Sequence, residues 1–100
     1  MRESAFQQKV LKFLKDKKIY AIKFNASGLT KVGVPDILMC LRGRFVGIEV
    51  KTDTGKQSEL QKYNAQEIIK SGGEYILLRP KQFDEFKELI NKYEWFTTIL

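Results

Sequence analysis

The run Pro35-Asp36-Ile37-Leu38-Met39-Cys40-Leu41-Arg42-Gly43-Arg44-Phe45-Val46-Gly47-Ile48-Glu49-Val50-Lys51 decides how this chain folds. Two short apolar segments, Asp36 to Leu41 and Arg44 to Lys51, are joined by Arg42-Gly43, and a turn on that dipeptide makes them an antiparallel hairpin. Leu41 then faces Arg44, Met39 faces Val46, and Asp36 faces Glu49. Opposed residues place their Cβ atoms about 4.5–5.5 Å apart, so the pairing sets two carboxylates side by side. Lys51 lies two residues beyond Glu49 and shares its face by strand alternation. Like charges so placed repel unless a cation lies between them. Pro35 suits the opening of a strand and not its interior. Both faces of the second segment are largely apolar, as in a central strand covered by helices.

Outward from the hairpin, residues 3–17 carry Phe6, Val10, Phe13 and Leu14 at helical spacing, with Lys9, Lys12 and Lys15 off that stripe. Ile19 to Asn25 reads as a strand and Ala26 to Val34 as a loop. After the polar turn Thr52 to Gln57, Ser58 starts a helix that Gly72-Gly73 stops. Glu74 to Leu78 is a fourth strand. Phe83, Phe86, Leu89, Ile90 and Tyr93 mark a last helix after Pro80, and the tail Glu94 to Leu100 is apolar. The order α-β-β-β-α-β-α predicts an α/β fold in one domain, residues 1–100, with a mixed central sheet flanked by helices. Cys40 is expected to be a small buried side chain of its strand.

Composition narrows the chemistry. The chain has no histidine, which excludes histidine-ligated zinc, Ser-His-Asp triads and histidine-based nuclease motifs. Its single cysteine cannot form an internal disulfide and lacks a histidine to activate it, which points to a reducing cytoplasm. No apolar run approaches a membrane span, and the start lacks the apolar segment of a signal peptide. A net charge of +6 suits a polyanionic partner, although a solvated basic surface accounts for it equally well. Carboxylates and lysine remain as the chemical repertoire.

Those groups suffice for phosphodiester hydrolysis, which must deprotonate a water, neutralise the charge of the pentavalent state and stabilise the leaving oxygen. Mg²⁺ takes oxygen ligands and keeps several waters, so one or two carboxylates can hold it. Asp36 and Glu49 would supply those oxygens, the backbone carbonyl of Val50 could add another, and Lys51 could position the water or stabilise the phosphate. Pro35-Asp36, twelve intervening residues, then Glu49-Val50-Lys51 resembles the PD-(D/E)XK nuclease superfamily. Gly33-x-Pro35-Asp36, Glu49-Val50-Lys51 and Gly55-Lys56-Gln57-Ser58-Glu59-Leu60-Gln61 resemble, more narrowly, the virus-type replication-repair nuclease (VRR-NUC) family, and Glu3, Asn25 and Gly72-Gly73 match its layout.

That resemblance implies a restriction-endonuclease-like core and Mg²⁺- or Mn²⁺-dependent cleavage of DNA. It also implies a homodimer acting on branched DNA in the manner of a Holliday-junction resolvase, in a bacterial or phage-infected cell. The alternatives are a non-catalytic nucleic-acid-binding module of the same fold, and a nuclease acting on flaps or single strands. By the family's pattern Gln61 lies beside the catalytic motif, yet Ser58-x-x-Gln61 is also a helix capping box. Glu3 is read either as an outer-sphere metal contact through water or as a helix-start acid. Asn25, Ser27 and Lys31 are candidate DNA contacts, and Lys9, Lys12, Lys15, Lys17 and Lys18 read as a solvated face. Alanine at Asp36, Glu49 or Lys51 is expected to abolish cleavage with the fold intact. The tail from Trp95 to Leu100, with the helix from Gln82 to Tyr93, is expected to contribute to the dimer contact.

Overall fold

Phe6, Val10 and Leu14 recur every four residues, and the first helix, α1 (Glu3–Asp16), buries all three against the sheet. The computed structural model describes residues 1–24 and 32–94. After α1, Lys18 turns the chain with φ 60°, and Ile19 N–H bonds back to Leu14 O at 3.0 Å. Four strands follow in the spatial order of the sequence: β1 (Ala21–Lys23), β2 (Ile37–Leu41), β3 (Arg44–Val50) and β4 (Glu74–Leu78). The first three pair antiparallel and β4 runs parallel to β3, so the sheet is mixed.

The hairpin has the expected register. Leu41 pairs with Arg44 and Met39 with Val46, across a turn in which Arg42 and Gly43 both take positive φ. The ladder ends at Ile37 opposite Ile48, one pair short of Asp36 and Glu49. β1 is shorter than the predicted Ile19–Asn25, though its bonding to β2 reaches one residue past each end: Cys40 N–H donates to Tyr20 O (3.0 Å) and Phe24 N–H to Asp36 O (2.8 Å).

Strand alternation divides the sheet into two faces. Ile37, Met39, Val46, Ile48, Val50 and Leu78 point to one face and form the core with α1 and with Phe86 and Ile90 of α3 (Phe83–Glu94). The ring of Phe83 meets Phe6 edge-on at 5.4 Å and ties the two helices together. The opposite face carries α2 (Glu59–Lys70), which links β3 to β4. Ser58 caps its start, and at its end Gly72 and Gly73 N–H groups bond to Ile69 O (3.0 Å) and Ile68 O (2.9 Å), a Schellman closure.

Two burial expectations are corrected. Cys40 is exposed, because it lies on the α2 face near the hairpin turn, beside the half-exposed Phe45. Leu89 is also exposed, since Phe86 and Ile90 occupy the buried stripe of α3. Lys9, Lys12, Lys15 and Lys18 face solvent as read, with Lys12 paired to Asp16 at 3.0 Å. The tail Trp95–Leu100 lies outside the described residues. Among the described residues no helix is long and apolar enough to cross a membrane.

Candidate active site

Asp36 is positioned by what precedes it. Gly33 has φ 85°, and a Cβ there would stand 2.8 Å from the Leu60 carbonyl, so only glycine lets the chain pass this close to α2. Asn64, buried on α2, fastens that passage by donating from Nδ2 to Val32 O (3.2 Å) and Leu60 O (2.9 Å). Pro35 is then buried over Gly47, where a Cβ would meet its Cγ at 2.8 Å. Asp36 therefore emerges at the mouth of β2, and its Oδ2 accepts the N–H of Val50 at 2.8 Å.

That bond gives Asp36 a structural role beside its expected catalytic one. Removing the carboxylate orphans a backbone donor on the fully buried Val50, at a cost of about 1–3 kcal/mol. Asp36→Ala should therefore lower Tm by about 5 °C or more in a domain of this size. Asp36→Asn keeps an acceptor for Val50 and should melt within about 2 °C of wild type while losing activity like the alanine variant. Thermal melts of both variants check this, and equal melting would place the Val50 bond outside the stability account.

Glu49 is a buried carboxyl group. Its residue is 1% exposed; Oε2 accepts from Gln61 Nε2 at 2.9 Å, and Oε1 is buried without a hydrogen-bond partner. Its pKa is raised from 4.5 to about 8, first by burial and then by the Asp36 carboxylate, with which it can share a proton; Lys51 partly offsets this, and Glu3 adds to it. Asp36, Lys51 and Glu3, from three parts of the chain, thus all act on Glu49.

Gln61 caps its helix and also bonds to Glu49. Oε1 accepts from Ser58 N–H (2.8 Å), completing the capping box, while Nε2 holds Glu49. Lys51 leaves β3 with its N–H bonded to Leu78 O (3.1 Å), and its stem runs beside Gly55. The turn under it is clamped by Arg79, whose Nη1 donates to Thr52 O (2.6 Å) and Gly55 O (2.7 Å). Sequence reasoning missed Arg79, although an arginine directly after an apolar strand was a visible signal. It also missed Tyr75, whose hydroxyl accepts from Gln57 Nε2.

The donor set fits a hard divalent cation. A buried carboxylate oxygen with no partner, beside a second carboxylate, is an arrangement that positive charge completes. Among the described residues no group of three or more His, Cys, Asp and Glu side chains could hold a metal. Glu3 accordingly acts on Glu49 through its charge. Asn25, Ser27 and Lys31, the candidate DNA contacts, lie outside the described residues. No protein-family model matches the chain, and no curated protein matches it. The likeness to the VRR-NUC family therefore rests on the motifs and their placement.

Proposed function

We propose that the chain is a divalent-metal-dependent DNA endonuclease of the PD-(D/E)XK type, acting on branched DNA with four-way junctions as the leading substrate. The observation that carries this reading is the unpartnered, buried Oε1 of Glu49 beside Asp36, with Lys51 just past the end of the same strand. A protein that only bound nucleic acid would gain nothing from burying paired carboxylates where phosphates must approach.

Asp36 and Glu49 would hold Mg²⁺ or Mn²⁺, with the Val50 carbonyl as a further oxygen. A divalent ion there supplies a bound water of lowered pKa and charge to offset that gathering on the phosphate. Lys51 offers an ammonium to orient the attacking water or to meet a phosphate oxygen. Gln61 fixes the Glu49 carboxylate so that Oε1 remains the open oxygen. The net charge of +6 raises the local concentration of DNA. Symmetric resolution of a junction requires two nicks on opposing strands, which a two-fold homodimer would supply.

The test is a cleavage panel of four-way junction, flap, duplex and single-stranded DNA with Mg²⁺ and with Mn²⁺. Junction cleavage is expected with either ion and none in EDTA. Lys51→Ala should abolish turnover and keep junction binding. Preference for flaps or single strands would move the substrate class within the same chemistry, and EDTA-resistant cleavage would overturn the proposal.

A further inference from the structure

We infer that Tyr75, oriented by Gln57, is a further substrate-contacting residue, whose hydroxyl donates a hydrogen bond to the phosphate processed at Asp36, Glu49 and Lys51. The inference rests on the nuclease reading and adds a residue outside the motifs that suggested it.

Tyr75 stands on β4 opposite Gly47 of β3, and Glu49 follows Gly47 by two residues. Cross-strand partners share a face, so Tyr75 and Glu49 project to the same side of the sheet, the side covered by α2. Gly47 has no side chain, and the space above it is filled by Pro35 and by Ile68 of α2. The two glutamines that lead into α2 reach down onto this row: Gln61 Nε2 to Glu49 Oε2, and Gln57 Nε2 to the Tyr75 hydroxyl at 2.5 Å. Each fixes one polar group of the site.

The direction of the second bond carries the argument. An amide Nε2 can only donate, so the Tyr75 oxygen is the acceptor and its own proton is free for another acceptor. Burial first, and then the Glu49 and Asp36 charges, push the Tyr75 hydroxyl up to about 12 against the lowering effect of its Gln57 hydrogen bond, so that proton stays in place at any working pH. A neutral, half-buried donor beside two carboxylates matches the need of a phosphate oxygen that gains charge as the phosphodiester is cleaved.

Three variants in the full chain separate the readings. Tyr75→Phe removes the donor and is expected to lower kcat for junction cleavage with Mg²⁺ by about 10- to 100-fold, with KM within about threefold. Gln57→Glu keeps the contact but reverses it, because a carboxylate can only accept and would take the Tyr75 proton. It should match Tyr75→Phe in kcat while melting within a few degrees of wild type. In the Tyr75→Phe background Gln57→Glu should cost less than twofold more, which separates bond direction from the added charge. Wild-type turnover in Gln57→Glu, or undiminished kcat in Tyr75→Phe, overturns the assignment and leaves the nuclease reading standing. A wild-type chain that cleaves no DNA of the panel overturns both.

Discussion

Glu49→Gln should abolish cleavage and, in the metal-free chain, raise stability. Removing one of two carboxylates from the cation site forfeits several kcal/mol of charge stabilisation, or about 10³-fold or more in rate. The rise in stability follows from the raised pKa. Glu49 titrates near 8 in the fold and at 4.5 ordinarily, so the stability it contributes is fully present below 4.5 and is lost as pH rises through 8. By neutral pH the loss is roughly 3 kcal/mol at about 1.4 kcal/mol per unit. A glutamine carries no such charge: its Oε1 can accept from Gln61 and its amide can donate toward Asp36. In EDTA at pH 8, Glu49→Gln should melt at least about 5 °C above wild type, and the gap should narrow toward pH 5. A variant that melts below wild type at pH 8 would mean that Glu49 is not held at a cost.

Gln61→Glu should keep one of the roles that Gln61 unites and lose the other. The capping acceptor survives, but the atom that donated to Glu49 becomes a second carboxylate oxygen facing Glu49 Oε2. Loss of the group that orients a metal-binding carboxylate costs about 10- to 100-fold in activity. Two like charges in a buried contact should also lower Tm by several degrees at pH 8, with recovery toward pH 5 as one takes up a proton. Activity assays and melts at both pH values check this. Normal turnover with normal melting at pH 8 would reduce Gln61 to a helix cap.

The sequence made the hairpin legible because its signals agree. Arg42-Gly43 between two apolar runs leaves one register, and that register is the observed one from Ile37 to Leu41. Ser58 and Gly72-Gly73 marked the ends of α2 through backbone groups that their neighbours satisfy locally. Asp36, Glu49 and Lys51 could be placed on one side from alternation alone. What alternation could not give was the end of the ladder: Asp36 bonds to the backbone of Val50 and does not pair across from Glu49. A capping box and a place beside the catalytic motif read as rivals for Gln61 in sequence, and only the packing of α2 over β3 shows one side chain capping the helix and holding Glu49 with different atoms. Arg79 and the Gln57–Tyr75 pair depend on contacts between segments 18 to 27 residues apart, which no local pattern reports. Cys40 was misread because an apolar strand does not reveal how far its covering helix extends.

Calorimetric titration with Mn²⁺ at pH 7, in two buffers of different ionisation enthalpy, asks without reference to activity whether a divalent cation completes the Asp36–Glu49 pair. The raised pKa of Glu49 favours its protonated form, so Mn²⁺ binding should release protons, detectable as a buffer-dependent binding enthalpy. Glu49→Gln should abolish both the binding and the proton release. Binding of equal strength in Glu49→Gln, or no binding by wild type at millimolar Mn²⁺, would contradict the account.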